Sequence, residues 1–485
     1  MVATEHRPQG HTAYRWPAPG HPRKDTCVTA SPAAVAAPQF HLRPTHGWLN
    51  DPNGLVHHVG RWHVFFQHNP VGPVHHHIHW GHMSSPDLVT WTEHPVAFGP
   101  TPGGPDSFGC WSGVFAPGLS QPAVVYSGVV DESLHSTICL RWGSADLTTW
   151  SEPVVVGTTP GGMGVRVMRD PFVFEHGGRR WGLLGAGLDD GTAAILLYSC
   201  DDMLDWRFEE VWLAAREQSL LSEGAPADIW ECPQLVWADG VPVLVLSLQL
   251  EGVLGDVVAV MGEVAEQDGR PRFTASSVER LDTGNCFYAP QLVQDGSSPL
   301  MFGWARQEPL DTSGLGDGPH TAGCLTLPRR LAVRDGRLLV RPDPAVALLV
   351  AQESDSDADS SPGGTGGNDQ GTRCVAGVHE LPGAARLTVT SAPGDGKGWI
   401  LRGASGSQPL RLVPGTAVWV DADVVEVYPG DGAAPQTFRL SGPPWGLEVP
   451  DGGSLRVSAV VPPTPGRREG SGGARAARRP GPAAP

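Results

Sequence analysis

Three stretches decide how this chain folds: Trp80-Gly-His-Met-Ser-Ser-Pro-Asp-Leu-Val-Thr-Trp91, Trp142-Gly-Ser-Ala-Asp-Leu-Thr-Thr-Trp150 and Tyr198-Ser-Cys-Asp-Asp-Met-Leu-Asp-Trp206. Each reads as the end of a strand, a Ser-x-Asp turn and a closing aromatic residue. Ser and Asp suit such turns because their side chains accept hydrogen bonds from nearby backbone N–H groups. The closing tryptophans lie 59 residues apart (91 to 150) and then 56 (150 to 206). That period fits a four-stranded unit better than a helical solenoid repeat. Dividing roughly 290 residues by it gives about five units. The expected fold is all-β, a five-bladed β-propeller whose strands converge on an axial cavity. The alternative is an ordinary β-sandwich in which the turns recur by coincidence.

The sequence around these turns agrees. Short apolar runs such as Trp62–Phe66, Ala123–Ser127 and Val243–Leu248 are separated by Gly, Pro and Asp, and amphipathic helical patterns are nearly absent. Residues 1–38 read as an irregular segment, because Pro and charged residues interrupt every periodic run. The propeller is expected over 39–340, and a connector containing a Ser/Asp/Gly-rich stretch over 341–372. Runs such as Ala385–Thr390 and Val418–Tyr428 predict a small β-sandwich over 373–462, and the Gly, Ala, Pro and Arg tail over 463–485 reads as disordered.

Composition narrows the function classes. With 34 Lys+Arg against 51 Asp+Glu the net charge is −17, which repels polyphosphate and anionic lipid and argues against nucleic acid and membrane as partners. No apolar run has signal-peptide or membrane-span length, so a cytoplasmic location is expected. The eight cysteines are scattered singly, without the pairs of a zinc site, and read as mostly buried free thiols. Seventeen tryptophans suit a protein that stacks sugar rings, although buried indoles account for much of any such number.

Three acidic positions stand out for chemistry on glycosidic bonds, which needs one carboxylate at the anomeric carbon and one carboxylic acid at the leaving oxygen. Asp51 lies in Trp48-Leu-Asn-Asp-Pro-Asn-Gly54, where proline favours extended backbone before it and Asn50 can offer an amide hydrogen bond. Asp170 follows Arg169, whose charge is expected to keep it ionised. Glu231, in Trp230-Glu-Cys-Pro233, stands between bulky or weakly polar neighbours, which predicts a raised pKa suited to a general acid. Each alone is better read as a turn residue, a surface ion pair or a structural glutamate.

In this order and on successive blades, the three motifs resemble the β-fructosidase family, glycoside hydrolase family 32, which includes invertases, sucrose-6-phosphate hydrolases and levanases. The strand His63–Pro70, Trp80-Gly-His82, Gly109-Cys-Trp-Ser-Gly113, Phe287-Tyr-Ala-Pro-Gln291, Gly303-Trp304 and Val424–Tyr428 with Gly430-Asp-Gly432 extend the resemblance over roughly residues 39 to 440. It implies a propeller followed by a β-sandwich and a retaining hydrolysis of β-fructofuranosyl bonds. It further implies Asp51 as nucleophile, Glu231 as general acid/base and Asp170 as the residue that holds ring hydroxyls and stabilises the transition state. Arg169 would lie close to Glu231. Trp48, Asn50, Gln67 and Ser112 would line the fructose subsite, and Trp80, Trp111, Tyr288 and Trp304 would stack on or wall it. The partner implied is a small carbohydrate, no metal or organic cofactor is called for, and oligomeric state is left unassigned.

The chain also departs from the family pattern. Val114-Phe115 follow Trp111-Ser-Gly113 where Ser-Ala is common, which bears on the shape of that wall. Histidines at 75–79 stand where many members carry an aromatic on the aglycone side, and Cys286 stands where many carry Asp. Four histidines on one extended loop would alternate in direction and lack a carboxylate partner, which argues against a metal site. Competing functions are fructosyl transfer through the same intermediate, a catalytically weak fructoside-binding protein, and a pentose-polymer hydrolase on a related scaffold.

Overall fold

The Ser-x-Asp turns occupy one and the same place in three consecutive sheets, between the third and fourth strands. Asp87 Oδ1 accepts the N–H groups of Val89 and Thr90 at 3.0 and 2.6 Å, and Asp146 Oδ1 accepts that of Thr148 at 3.2 Å. In the third turn the capping residue is Asp202, not Asp201, and Oδ1 of Asp202 accepts the N–H groups of Leu204 and Asp205. After each capping Asp an apolar residue, Leu88, Leu147 or Met203, takes a positive φ (67°, 58° and 65°) and buries its side chain. That conformation is costly for a side-chain-bearing residue, and the Asp cap and the burial together hold it.

The computed structural model describes residues 38–133, 135–310, 320–350, 371–404, 406–440 and 442–460. Most of the segments expected over 1–38 and 463–485, and the Ser/Asp/Gly-rich stretch within 341–372, lie outside the described residues. Five sheets radiate from an axis. Blade I comprises Gly47–His58, Arg61–Asn69, His79–Ser85 and Thr92–Glu93. Blade II comprises Gly109–Phe115, Ala123–Val129, Ser136–Trp142 and Val154–Gly157, and blade III Val165–His176, Arg179–Leu188, Ala193–Ser199 and Arg207–Ala214. Blade IV comprises Ile229–Ala238, Val241–Leu250, Val253–Gln267 and Arg270–Arg280. Blade V comprises Phe287–Val293, Leu300–Ala305, Arg329–Arg334 and Arg337–Pro342. Among the described residues the only α-helix is Ser219–Gly224, and no helix is long and apolar enough to cross a membrane.

The tryptophan-turn repeat stops after blade III for a local reason. Blades IV and V join their outer strands through Asp268-Gly269 and Asp335-Gly336, with φ of 52° and 73° in both pairs. Two consecutive positive φ values make the tight hairpin turn whose twist matches the flanking strands, and Asp-Gly is the sequence that tolerates them. Five units are therefore present although only three carry the tryptophan signature.

Closure of the ring uses the segment between the second and third strands of blade V. Thr321 and Ala322 pair in parallel with Gly47 and Trp48 of blade I, and Leu325 N–H donates to Leu42 O. Gly323, at φ 83°, passes so close that a Cβ there would lie 1.9 Å from Leu49 O, so no other residue fits this seam. Between blades the core is apolar: Val114, Leu140, Phe172, Leu183, Leu196 and Trp230 belong to one contiguous buried cluster.

After the propeller, eight strands from Thr372–Leu381 to Trp445–Ala459 form a β-sandwich in which seven strands follow one hydrogen-bonded path and Thr372–Leu381 branches from it by pairing with Trp445–Ala459. Its interior is built from Leu387, Trp399, Leu401, Val418, Val425 and Leu447. The run expected as a strand over Val418–Tyr428 is a hairpin, turning at Ala422 with φ 56°.

Propeller and sandwich are joined by buried charges. Arg329, fully buried, donates to Asp282 Oδ2 at 2.8 Å and to Glu426 Oε2 at 2.6 Å. His41 lies 2.9 Å from both Asp421 Oδ2 and Glu426 Oε1. Burial alone would lower the His41 pKa, but the two carboxylates outweigh it and lift it to about 9. In the unfolded chain the group titrates near 6.5. The folded state therefore holds this proton more tightly, and the associated stability is complete below pH 6.5 and is lost as pH rises through 9. The expected loss is about 3 kcal/mol, read as a fall in the urea midpoint between pH 6.5 and 9. His41→Gln is expected to flatten that alkaline decline, and a wild-type midpoint constant over this range would refute the coupling.

Candidate active site

A second repeat, independent of tryptophan spacing, builds the floor of the axial cavity. The first strand of every blade neighbours the next around the axis, and each has a break in register with its partner at the same level. The breaks fall at Leu49/Pro52, Cys110/Gly113 and Glu231/Gln234, at Tyr288/Gln291, and opposite Arg169–Phe172 in blade III. In four of the five the bulge precedes a proline: Asp51-Pro52, Asp170-Pro171, Cys232-Pro233 and Ala289-Pro290. Proline lacks the N–H that the ladder needs and so belongs at such a break. Three of the residues before proline hold positive φ: Asp170 at 60°, Cys232 at 47° and Ala289 at 43°. Blade II uses Ser112-Gly113, where a Cβ on the glycine would lie 2.0 Å from Val125 O. Bulges turn side chains out of the pleat, and here they aim Asp51, Ser112, Asp170, Glu231 and Tyr288 toward the axis.

The result is a cavity of about 400 Å³ lined by all five blades. On its blade I side, Asp51 accepts four donors. Ser112 Oγ donates to Oδ2 at 2.6 Å and Gln67 Nε2 to the same oxygen at 3.2 Å. Asn50 Nδ2 donates to Oδ1 at 3.0 Å, and the Cys232 thiol lies 4.0 Å from Oδ2. None of these donors is a cation. Burial raises the Asp51 pKa and the Glu231 charge adds to it, while the Ser112 and Asn50 hydrogen bonds oppose, and the group settles at about 6. It is therefore ionised at neutral pH, as a poorly solvated and weakly compensated carboxylate.

Across the cavity Glu231 is tethered at both oxygens. Arg169 Nε donates to Oε1 at 2.8 Å, and Tyr288 Oη donates to Oε2 at 2.6 Å. Gln249 Nε2 lies 3.4 Å from Oε2 while its own Oε1 accepts from Arg169 at 3.2 Å. The weakly polar surroundings expected from Trp230-Glu-Cys-Pro233 are thus replaced by three donors from three other strands. Asp170 departs from expectation for the same reason: the Arg169 guanidinium turns to Glu231, and the Asp170 carboxylate takes the Cys232 N–H at 3.0 Å. Burial and the Glu231 charge push Asp170 well above the usual carboxylate range, against the opposing pull of Arg169.

Of the residues singled out in the sequence, Trp48, Asn50, Asp51, Gln67, Trp111, Arg169, Asp170, Glu231, Tyr288 and Trp304 line this cavity. Ser112 lies beneath it, bonded to Asp51. Trp80 is not in the wall. It is fully buried in the cluster of Phe65, Phe98 and Tyr126, and its indole N–H supports the wall from behind by donating to Trp111 O at 3.1 Å. Val114 and Phe115 also point away, into two interior clusters, so this departure leaves the wall unaltered. Six described cysteines are free and buried, whereas Cys286 is held in a disulfide, an exception to the free-thiol reading.

Three features of the site are not announced by the acidic motifs. His75 enters the cavity, with Nε2 3.3 Å from Gln67 Oε1. Gln249 reaches it from the second strand of blade IV. Arg166 stands at the mouth, nearly half exposed and 3.9 Å from Asp228. The recurrence of a proline, or in blade II a glycine, one position past the bulge is the sequence signal that places the floor. Among the described residues no group of three or more His, Cys, Asp or Glu is arranged to hold a metal ion.

Comparison with known proteins agrees with this architecture. A sucrose-6-phosphate hydrolase of Zymomonas mobilis subsp. mobilis is 31% identical over 338 residues, covering 65% of this chain and 64% of that protein. A raffinose invertase of Escherichia coli is 33% identical over 323 residues, covering 63% and 64%. The chain thus spans a little under two thirds of the length of these relatives. Among solved structures, a sucrose-6-phosphate hydrolase of Lactobacillus gasseri superposes with a TM-score of 0.71 at 21% identity, covering 89% of this chain and 94% of that one. A β-fructofuranosidase of Bombyx mori, solved with sucrose, superposes with a TM-score of 0.71 at 21% identity, over 88% and 95%. At such identities the likeness is one of fold. Residues 41–342, which take in all five blades, match the Glycosyl hydrolases family 32 N-terminal domain, and the chain belongs to that family.

Proposed function

We propose that this protein is a retaining β-fructofuranosidase that removes terminal β-fructosyl units from sucrose or related β-fructosides. The observation that carries the reading is the contrast between two carboxylates in one cavity. Asp51 is held by neutral donors alone, and Glu231 is held by a guanidinium and a phenol. A nucleophile needs an ionised carboxylate whose charge is not spent on a salt bridge. An acid/base needs a fixed orientation toward the leaving oxygen and a means of carrying negative charge once its proton has gone.

In the first step Asp51 attacks the anomeric carbon, the glycosidic C–O bond breaks, and the Glu231 proton passes to the departing oxygen. A fructosyl ester on Asp51 remains, with Glu231 as carboxylate stabilised by Arg169 and Tyr288. In the second step Glu231 takes a proton from water, the water oxygen bonds to the anomeric carbon, and Asp51 leaves. Two inversions give net retention. Asp170 accepts hydrogen bonds from ring hydroxyls, and Trp48, Trp111 and Trp304 supply apolar faces for the sugar. Relatives described as sucrose-6-phosphate hydrolase and raffinose invertase, and a neighbour solved with sucrose, support a substrate of this class.

The test is to incubate purified full-length protein with sucrose, sucrose 6-phosphate, raffinose, 1-kestose, inulin and levan, and to follow the first-formed fructose by proton NMR. The expected result is release of the β-furanose from at least one of them. Release of the α-anomer, or no release from any, would refute the reading, and products longer than the donor would assign the protein to fructosyl transfer.

A further inference from the structure

Two side-chain amides face the Asp51 carboxylate, and each has its oxygen beside a ring nitrogen. On one side Trp48 Nε1–H donates to Asn50 Oδ1 at 2.7 Å, and Asn50 Nδ2 in turn donates to Asp51 Oδ1. On the other side His75 Nε2 lies 3.3 Å from Gln67 Oε1, and Gln67 Nε2 donates both to Asp51 Oδ2 and, at 2.6 Å, to Ser112 Oγ. The two ends of an amide are nearly equal in size, so its neighbours decide which end meets a carboxylate. Reversed, either amide would turn a carbonyl oxygen toward the Asp51 oxygens and remove one of their few donors. The indole can only donate, which fixes Asn50. Gln67 Oε1 can only accept, so its contact with His75 holds when the imidazole carries its proton on Nε2.

We propose that His75 is a positioning residue for the nucleophile, its Nε2–H locking the Gln67 amide with the NH₂ group toward Asp51. The inference rests on the reading of Asp51 as nucleophile. The ring is held for this task, standing edge-on to Trp48 and Trp111 at centroid distances of 6.3 and 5.7 Å and interplanar angles of 88° and 73°. Burial pushes the His75 pKa down to about 4, so the ring stays neutral at working pH and adds no charge to the cavity. The histidine thereby turns a wall position into the outer member of a relay, His75 to Gln67 to Asp51, that mirrors Trp48 to Asn50 to Asp51.

A residue that merely fills space would change how much enzyme is active. A residue that orients Gln67 changes how easily Asp51 ionises. Asp51 shares its cavity with Glu231, Asp170, Arg169, Cys232 and Tyr288, none of which is altered by substitutions at 75 or 67. The experiment compares pH profiles of kcat/KM for fructose release by wild type, His75→Phe, His75→Gln, Gln67→Leu and the His75→Phe/Gln67→Leu double variant. Each is used as full-length protein with wild-type circular dichroism, and His75→Leu replaces His75→Phe if the latter does not fold. With the amide free to turn, the carboxylate loses a donor, its proton is held more tightly, and the acid limb rises. His75→Phe is expected to raise that limb by about half a pH unit and to lower kcat/KM at the optimum by about 3- to 10-fold, mainly through kcat. His75→Gln, which restores an N–H, is expected to return the limb to its wild-type position. The double variant is expected to match Gln67→Leu alone. An acid limb in His75→Phe that coincides with wild type, or shifts that add in the double variant, would overturn the proposal. Absence of fructose release by wild type, or undiminished release by Asp51→Asn, would instead remove the reading on which it rests.

Discussion

Asp51→Asn is expected to lower kcat on β-fructosides by on the order of 10⁴-fold or more, with the protein still folded. An amide does not attack an anomeric carbon, and no other carboxylate takes its place. Asp170, on blade III, has its carboxylate on the Cys232 N–H, and Glu231 is tethered by Arg169 and Tyr288. The substituted side chain can still accept from Ser112 and Gln67 through its oxygen. Its nitrogen, however, meets Asn50 Nδ2, a donor against a donor, unless Asn50 turns and gives up its 2.7 Å bond from Trp48. One mismatched buried hydrogen bond costs about 1 to 2 kcal/mol, which a cooperative domain of this size survives. The checks are kcat with the preferred substrate and the thermal midpoint of the same preparation. Activity within tenfold of wild type would mean that the nucleophile lies elsewhere. In the wild type, with Asp51 pushed up to about 6, activity should fall as pH drops through that value, because protonation removes the attacking lone pair.

Glu231→Gln is expected to act differently on the two steps. The amide cannot donate a proton to the leaving oxygen, so cleavage of sucrose should slow by about 10²- to 10⁴-fold. An aryl β-fructofuranoside, whose leaving group departs without protonation, should keep most of its first-step rate. The second step needs the same residue to deprotonate water, so with an aryl donor the fructosyl ester should accumulate and the burst should exceed the steady-state rate. An external anion that needs no base, such as azide, should rescue turnover. Equal slowing with sucrose and aryl donors would contradict the acid role. The fold should tolerate the change, since a glutamine oxygen still accepts from Arg169 and the Tyr288 hydroxyl can accept from the new amide.

The fold was largely legible because its clearest signals are local. A capping Asp and the apolar residue after it fix a turn within a few positions, so a period could be read from three units and extended to five, whereas the Asp-Gly hairpins that replace this turn in blades IV and V were not read. The acidic residues were legible as an ordered set. Of their surroundings only the nearness of Arg169 to Glu231 was legible, and that through the family resemblance. The residues themselves do not show it, because the partners of Glu231 lie 62 residues before it at Arg169 and 57 after it at Tyr288. Only ring closure brings those strands together. Register explains the rest. Trp80 and Trp111 are equally plausible wall residues in the sequence, yet Trp80 sits on an outer strand and backs onto Phe98, while Trp111 sits on a first strand beside the bulge. His75 belongs to a loop whose direction depends on backbone angles such as the positive φ of His77, which no periodicity reveals.

The central claim is that Asp51 becomes covalently fructosylated. The direct measurement is mass spectrometry of Glu231→Gln protein quenched in acid after brief exposure to an aryl β-fructofuranoside, followed by proteolysis. The peptide containing Asp51 is expected to gain the mass of one fructose less water, and the gain is expected to disappear in the Asp51→Asn/Glu231→Gln double variant. An unmodified Asp51 peptide under conditions where the aryl group is released in a burst, or the added mass on another residue, would contradict it.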